Sequence, residues 1–378
     1  MHRRAGLVLV ALAAFLAAFG PLLRWYDYPR VVEVPANQYQ AVVLQAKDAT
    51  LIDYATFSAV PHRTVTIVQT LRGDSAAAAA EKKRTGRDVV VWDTLSYVVG
   101  TDGKMISSIP EVYVFDAHTQ EPVHCCGESV DGDPVTRTGV EYKFPFDTQP
   151  RDYQYYDPQT RTSAPIHYRG TQEYRGMQVY YFEQTIPWTR VDFPKTMPAG
   201  MSGLTPAGIE SAGFQRWYTT VRKFWVDPVT GAPVNGEEQH REELRFPASS
   251  GKAPVTVFSG DVKIRADYLA ATAAQVKGQR QLVLALSSYL PWGAPGLGLA
   301  LLGCALLLEW RERGRDRDRD RPLPPGPERS GTGGSGPDAD EDGGPRQVPP
   351  PQRAPAAPLL REAVRPLGFD QVDQPEPG

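Results

Sequence analysis

The chain has 378 residues, more than one compact core usually holds, which indicates one large domain or two with additional segments. Its 41 Lys and Arg residues nearly balance 44 Asp and Glu residues, and the formal charge of -3 excludes a protein that binds nucleic acid along its whole length. The composition is segregated: apolar residues concentrate at both ends of a polar middle part, and the last 57 residues hold 14 of the 35 prolines.

The first predicted element is a membrane-spanning helix over residues 5–23, after a cytoplasmic segment, residues 1–4. Nineteen apolar residues in a helix rise about 28 Å, close to the thickness of the hydrocarbon core of a bilayer. A cleaved signal peptide is the alternative, but its apolar part is normally shorter and ends at a small-residue cleavage site. Because Gly20 and Pro21 are followed by two leucines instead, we favour a retained anchor.

We predict that residues 24–286 form one extracytoplasmic domain. Its fold class is β-rich, that is, mainly β (α+β). Short segments rich in β-branched and aromatic residues recur there, bounded by Gly, Pro or Asp. Their alternation favours antiparallel sheets with one buried face. The predicted strands are 63–71, 88–99, 111–115, 173–185, 217–226 and 254–264, and the predicted helices are 74–83 and 266–286.

One turn pattern occurs twice in this domain, at 114–123 and 225–234, with Asp, Thr, Pro and Val at equal offsets. Asp opens a type I turn by accepting backbone N–H bonds, and Thr stabilises the turn locally. We therefore interpret both copies as hairpin connections rather than catalytic sites; a looser third copy begins at Asp157. The turn residues are Asp116, Thr119, Asp227, Thr230 and Gly231.

Two of the three cysteines, Cys125 and Cys126, are adjacent, whereas Cys304 lies in the second apolar segment. On an oxidising outer side we favour a vicinal disulfide over two free thiols. Adjacent cysteines lack the spacing of a zinc site, so the sequence predicts no metal site, although His118 and His124 are near. The other histidines are scattered, and no nucleophile elbow, phosphate-binding loop or HExxH pattern occurs, so we predict no enzyme and no cofactor.

The densest aromatic block runs from residue 142 to 157 and interleaves aromatic side chains with carboxylates. Such a block can form a ledge that contacts a sugar or a lipid headgroup, but we favour a structural role because aromatic side chains mostly serve packing. The candidate residues are Phe144, Phe146, Asp147, Tyr153, Tyr155, Tyr156 and Asp157.

A second membrane-spanning helix is predicted over residues 287–308, followed by a basic segment, residues 309–321, that contains six arginines. Lys and Arg near the ends of spans set orientation, so both termini are predicted to be cytoplasmic in the plasma membrane. Aromatic residues after the first span and before the second place an interfacial belt on the outer side. A buried hairpin of core helices is disfavoured, because it would leave six arginines beside a core.

Three motifs follow one another between the two apolar helices: His-Cys-Cys-Gly at 124–127, the aromatic block and the segment 224–231. In this order they resemble an actinobacterial membrane-protein family of unknown function labelled porin PorA. The likeness covers roughly residues 1–310, with His124 where relatives tend to have Asn. It implies an ectodomain similar to the fold of scavenger receptor class B and lysosomal integral membrane proteins, a barrel-like antiparallel sheet enclosing a lipid tunnel. Relatives in mycolate-bearing bacteria are linked to lipoglycan control. Outer-membrane barrels lack apolar helical anchors, so we reject channel formation.

The Pro/Gly-rich residues 322–378 predict a disordered cytoplasmic tail that can dock a cytoplasmic partner, although a solvated linker is favoured. The leading functional hypothesis is a cell-envelope protein that binds or transfers a membrane lipid or lipoglycan. The alternative is a non-enzymatic scaffold or sensor acting through the tail. An enzyme using Asp147, Asp152 and Asp157 comes third.

Overall fold

The computed structural model describes residues 2–54, 56–100, 103, 105–196 and 205–319. Residues 320–378, which include the predicted tail, lie outside this part of the chain. The helices are α1 (His2–Leu22), α2 (Tyr28–Val31), α3 (Ser75–Thr85), α4 (Pro206–Ser211), α5 (Ala266–Leu284) and α6 (Leu290–Arg319). The strands are β1 (Tyr39–Asp53), β2 (Ser58–Gly73), β3 (Val89–Val99), β4 (Met105–Asp116), β5 (Ser129–Val130), β6 (Asp133–Pro134), β7 (Tyr153–Asp157), β8 (Thr162–Tyr174), β9 (Met177–Val191), β10 (Gln215–Val226), β11 (Pro233–Arg245) and β12 (Val255–Ile264).

The twelve strands form one sheet in the order β6-β5-β4-β3-β2-β1-β12-β11-β10-β9-β8-β7. Every pairing of strands is antiparallel, as predicted. The sheet consists of two meanders, β1 to β6 and β12 back to β7, that join where β1 pairs with β12. The first and last strands of the domain are therefore neighbours at the middle of the sheet.

The expected barrel is not closed by strand pairing, because β6 and β7 remain as the two edges. The connection between them, residues 135–152, contacts both edges instead. Val140 bridges to Tyr155 of β7, and the Arg137 guanidinium donates a hydrogen bond to the carbonyl of Val112 in β4. The predicted barrel-like sheet is thus an open sheet whose edges are linked by an irregular segment.

The predicted strand 173–185 is wrong at its start, because this segment contains the turn between β8 and β9. The chain reverses between β8 and β9 at Arg175 and Gly176, where both residues have positive φ (49° and 74°). Two consecutive positive φ angles are typical of the type I′ turn that matches the twist of a hairpin. Three long strands, β1, β8 and β11, were not predicted as strands, and β11 carries the charged side chains described below.

Two long helical segments are apolar enough to cross a membrane, Gly6–Val31 and Ala266–Arg311. α1 and α6 pack antiparallel: Gly20 lies against Pro291 and Pro295, and Gly298 lies against Ala13. Small residues at these points allow the helices to approach closely. The second segment is longer than the predicted span 287–308, because α5, a π-helical turn (Ala285–Tyr289) and α6 follow one another without a break.

The predicted helix 74–83 corresponds to α3. The side chain of Asp74 caps its N-terminus by accepting hydrogen bonds from the backbone N–H groups of Ala76 and Ala77. Gly86 ends it with φ 78°, the left-handed conformation that favours glycine. Ala78 then packs on β3 and β4, in a core cluster with Val89, Val91, Val114 and Val123.

Candidate functional site: a cavity with a charged wall

A cavity of about 1080 Å³ lies on the inner face of the sheet. Both meanders line it, with apolar residues such as Leu44 of β1 and Ile67 of β2, and with polar residues of β10 and β11. The connection 135–152 contributes Glu141, Tyr142, Lys143 and Phe146. Its volume is at the upper end for small-molecule sites. The cavity is therefore large enough for an amphiphile with an alkyl chain.

Helix α5 forms one wall of this cavity. The lining residues recur every three or four positions, which places them on one face of the helix. The stripe continues through the π-helical turn toward α6. Its members are Thr272, Gln275, Val276, Gln279, Leu282, Val283 and Leu286. Residues that follow the first membrane helix, Val31 and Val32, line the cavity too. The cavity therefore extends to both segments that are apolar enough to span a membrane.

Strands β10 and β11 carry a buried network along the cavity. We call it the β10–β11 cluster: Asp157, Arg216, Tyr218, Arg222, Glu238, His240 and Glu242. In the antiparallel register Tyr218 faces Glu242 and Arg222 faces Glu238. Every second residue of a strand points to the same face, so these side chains meet on the cavity side. Gln239, between two members of the cluster, is exposed.

Each cation of the β10–β11 cluster has a carboxylate partner. Arg216 Nη2 lies 2.7 Å from Glu242 Oε1, and Arg222 Nη2 lies 3.0 Å from Asp157 Oδ2. His240 sits between two carboxylates, with Nδ1 2.9 Å from Glu238 and Nε2 2.7 Å from Glu242. Tyr218 donates its hydroxyl to Asp157 at 3.0 Å. Three cations thus face three carboxylates.

This arrangement favours the imidazolium form of His240. Burial opposes the charge, but hydrogen bonds to Glu238 and Glu242 outweigh burial and raise the pKa of His240 to about 9. Burial likewise opposes ionisation of the two glutamates, and the neighbouring arginines together with His240 nevertheless hold the pKa of each carboxyl well below its usual range. The charged forms of Glu238, His240 and Glu242 are therefore favoured together.

A second network, the Arg137 cluster, ties the connection 135–152 to β4, the third strand from one edge of the sheet. Fully buried Arg137 lies 2.7 Å from both Glu111 of β4 and Glu141, and its backbone N–H donates to Glu128 at 3.0 Å. The hydroxyl of Tyr142 donates to Glu111 at 2.7 Å. One cation here faces three carboxylates. Burial raises the pKa of both Glu111 and Glu141. The negative charge of Glu111 raises the pKa of Glu141 further.

Lys143 lines the cavity beside the Arg137 cluster but belongs to neither network. Its Nζ donates to the carbonyl of Phe144 at 3.0 Å and lies 3.8 Å from the centre of the Phe146 ring. No carboxylate in the described part of the chain lies within 4.0 Å of this amine. Burial without a counter-charge lowers the pKa of Lys143 to about 7.

The aromatic block does not form an exposed ledge. Phe144 and Asp157 are completely buried, and Asp147 is exposed and accepts a hydrogen bond from the hydroxyl of Tyr28. Phe146, Tyr155 and Tyr156 line the cavity, and Tyr153 packs edge-on against Phe144. Residues of the block therefore lie both in the core and in the cavity wall.

The five predicted turn residues lie in hairpin connections. Asp116 accepts the backbone N–H groups of His118 and Thr119 at 3.0 Å, and Asp227 accepts both the N–H and the hydroxyl of Thr230. Gly231 has φ 70° and sits against the carbonyl of Phe144, where a side chain would clash. Asp227 also forms an ion pair with Arg280 of α5, which fixes α5 to the sheet.

The structure joins the sulfur atoms of Cys125 and Cys126 in a vicinal pair, while Cys304 is free and exposed. Whether the pair is oxidised in the cell stays a prediction. Ligand-type atoms of Glu81 lie within 4.8 Å of both sulfurs, and a second such group consists of Glu33, Asp88 and His118. A bonded cysteine pair offers no thiolate to a metal, and the second group is largely exposed.

The sequence did not predict the polar residues of β10 and β11 that line the cavity. His240 was treated as one of several scattered histidines, although Glu238, His240 and Glu242 alternate with exposed residues and oppose a strand with Arg216 and Arg222 at the same period. That alternation of opposite charges is the signal that was available. Lys143 gave no signal, because its burial depends on contacts made by the whole connection.

The chain thus combines an open antiparallel sheet around a cavity with two helical segments that are long and apolar enough to cross a membrane. The family model described as Porin PorA matches residues 5–307. The chain belongs to the Porin PorA family. It is 31% identical over 156 residues to a Porin PorA of Corynebacterium resistens, covering 30% of this chain and 38% of that protein. It is 26% identical over 306 residues to a Porin PorA of Corynebacterium amycolatum, covering 63% of this chain and 77% of that protein.

Proposed function

We propose that this protein is a two-pass protein of the cell envelope whose extracytoplasmic β-sheet domain binds or transfers a membrane lipid or lipoglycan in its cavity. Membership of the Porin PorA family and the two apolar helices make it a membrane protein of the envelope. The arginines at residues 3, 4 and 311–321 favour both termini in the cytoplasm and the sheet domain outside. The proposed role requires no catalysis and no cofactor.

The observation that carries this proposal is the continuity between the cavity and the apolar helices. The α5 stripe lines the cavity from Thr272 to Leu286, and the last lining residues belong to the predicted membrane boundary. An apolar ligand that entered along this stripe would pass from the hydrocarbon of the bilayer to the apolar side chains of the cavity wall without being exposed to water. This path supports a lipid rather than a water-soluble metabolite.

The first test is lipid extraction from full-length protein purified in mild detergent, followed by mass spectrometry. We expect a copurifying lipid in the wild-type protein. Gln279→Trp places a large side chain on the lining stripe, whereas Gln281→Trp makes the same change two residues away on an exposed position outside the stripe. Loss of lipid in the first variant only would support the proposal, and a wild-type protein without lipid and without lipid uptake would overturn it.

Two other functions are separated by simple measurements. The relatives are named porins, and a pore would give single-channel conductance in planar bilayers. We favour lipid binding because the sheet has unpaired edges and because two buried clusters of paired acidic and basic side chains occupy its inner side. The alternative role as a scaffold or sensor predicts that deletion of residues 322–378 abolishes function, whereas a lipid carrier retains its lipid after that deletion.

A further inference from the structure

We propose that Lys143 is the headgroup-binding residue of the cavity and that it pairs with the acidic group of an anionic amphiphile, a carboxylate or a phosphate. The inference rests on the proposed lipid-binding function and specifies the chemistry of its ligand. The alkyl part of the ligand would lie along the apolar wall, and its acidic end would lie at the connection 135–152.

The first argument is the pairing of charges around the cavity. Five basic side chains of the described residues line it: Arg63, Lys143, Arg216, Arg222 and His240. Arg216, Arg222 and His240 each form ion pairs with carboxylates of the β10–β11 cluster. Arg63 has an exposed side chain. Lys143 is therefore the half-buried cation of this lining that has no carboxylate partner in the described part of the chain.

The second argument is the local environment of the amine. An ammonium group has three donors, and the described contacts of Lys143 Nζ are one carbonyl and one aromatic face. A buried charge without a partner is unfavourable, so the amine is partly neutral near pH 7. An acidic headgroup would supply the missing counter-charge and restore the ammonium form.

A third, independent observation comes from two buried donors that line the same cavity. The indole N–H of Trp92 and the hydroxyl of Tyr156 have no hydrogen-bond partner among the described residues, although the two side chains are only 2% and 1% exposed. Buried polar groups are normally satisfied, and such exceptions indicate a missing partner. Phe146, which stacks on Lys143, packs against the core cluster that contains Trp92. The cavity lining thus includes residues with unsatisfied donors as well as an unpaired amine, which supports a ligand that carries acceptor oxygens.

The experiment measures binding to delipidated full-length protein in detergent micelles with four probes. Palmitate and hexadecanol share one chain length, and dioleoyl phosphatidic acid and dioleoylglycerol share another, so each pair compares an acidic with a neutral headgroup. A hydrogen bond to a charged group contributes about 1.5–3 kcal/mol, which predicts that the acidic probe binds about tenfold to a hundredfold more tightly than its neutral partner. The pair with the larger difference identifies carboxylate or phosphate as the preferred group.

The Lys143→Met variant should lose this preference while it still binds the neutral probes. Lys143→Arg should keep it, and Lys83→Met, which removes a charge from an exposed position on α3, should bind like the wild-type protein. If Lys143→Met retains the preference, or if the wild-type protein has none, the inference is overturned while lipid binding stands. If none of the four probes binds the wild-type protein, the proposed function fails as well.

A second measurement needs no substitution and covers the case in which Lys143→Met does not fold. Limited acetylation followed by peptide mass spectrometry reports the accessibility and charge of Lys143 directly. The acidic probe should protect Lys143 several-fold more than the neutral probe does, with unchanged labelling of Lys83. Equal protection by both probes would contradict the proposed ion pair.

Discussion

The two buried charge clusters differ in their balance. In the β10–β11 cluster three basic side chains face three carboxylates, and each basic side chain has a carboxylate partner within 3.3 Å. In the Arg137 cluster a single guanidinium faces three carboxylates, and the pKa of two of them is raised. Balanced charges thus accompany carboxyl pKa values below the usual range in the first cluster, and an excess of carboxylates accompanies raised pKa values in the second. The predictions below test this difference.

The largest effect should follow from Arg137→Met. The substitution leaves Glu111, Glu128 and Glu141 buried without their common cation and removes the side chain that ties the connection 135–152 to β4. Removing one partner of a buried ion pair costs about 3–5 kcal/mol, and we expect a loss of this size in the free energy of unfolding, measured with urea on full-length protein in micelles. Arg84→Met removes an exposed arginine paired with Glu81 and should cost less than about 1 kcal/mol. Equal losses in the two variants would contradict the central position of Arg137.

Two isosteric changes compare the clusters directly. Glu242→Gln removes a charge that neutralises both Arg216 and His240, and we expect a loss of about 2–3 kcal/mol. Burial and the charge of Glu111 raise the pKa of Glu141, so we expect Glu141→Gln to cost less than Glu242→Gln. The reverse order of the two losses would show that the Arg137 cluster is the one that stays ionised.

The pH dependence of stability should reveal opposite contributions from His240 and Lys143. The pKa of His240 is raised from 6.5 to about 9, so its stabilisation is complete below pH 6.5 and is lost as the pH rises through 9. The pKa of Lys143 is lowered from 10.5 to about 7, so the fold gains stability as the pH rises from 7 toward 10.5.

Between pH 7 and 9 these two contributions oppose each other in the wild-type protein, with slopes of up to about 1.4 kcal/mol per pH unit each. Relative to the wild-type curve, His240→Gln should therefore become more stable with rising pH, and Lys143→Met should become less stable. Urea unfolding at pH 7, 8 and 9 checks both signs. Parallel curves for all three proteins would contradict both pKa shifts.

The smallest effect concerns the cysteine pair beside the Arg137 cluster, where the carbonyl of Cys125 accepts the N–H of Glu128. A bond between neighbours closes a minimal loop, so replacing both cysteines by alanine should cost only about 1 kcal/mol or less. Thiol titration of denatured, unreduced protein should detect one thiol per chain, that of Cys304. Three thiols would show that the pair is not oxidised.

Local patterns in the sequence were sufficient for the broad class of the fold. The long apolar runs correspond to the two helical segments, the capping signals around Asp74 mark α3, and alternating β-branched residues mark strands such as β3. These features are short-range, since they depend on residues a few positions apart. Family membership was also predicted from the order of motifs, and the match over residues 5–307 confirms it.

The cavity wall depended on long-range pairing and was not predicted. β11 carries Glu238, His240 and Glu242 on a buried face, which resembles a solvated strand unless its partner is known. The open sheet was mistaken for a barrel because the likeness to scavenger receptor class B implied one, and that likeness itself stays a prediction. The connection 135–152 joins β7 through one backbone bridge at Val140 and joins β4 through the side chain of Arg137, and no local pattern predicts this combination.

The course of the chain through the sheet divides the protein into two pieces of similar construction. Residues before the exposed loop at 149–151 hold α1 and the meander β1 to β6, and residues after it hold the meander β7 to β12 followed by α5 and α6. Each piece owns one apolar helical segment, and the pieces meet where β1 pairs with β12, where α1 packs on α6, and at the crossing of 135–152. If the chain were cut within 149–151 and the two fragments expressed from separate reading frames, each fragment would contain one apolar helical segment and one half of the sheet. The two fragments could then associate through the pairs β1–β12 and α1–α6.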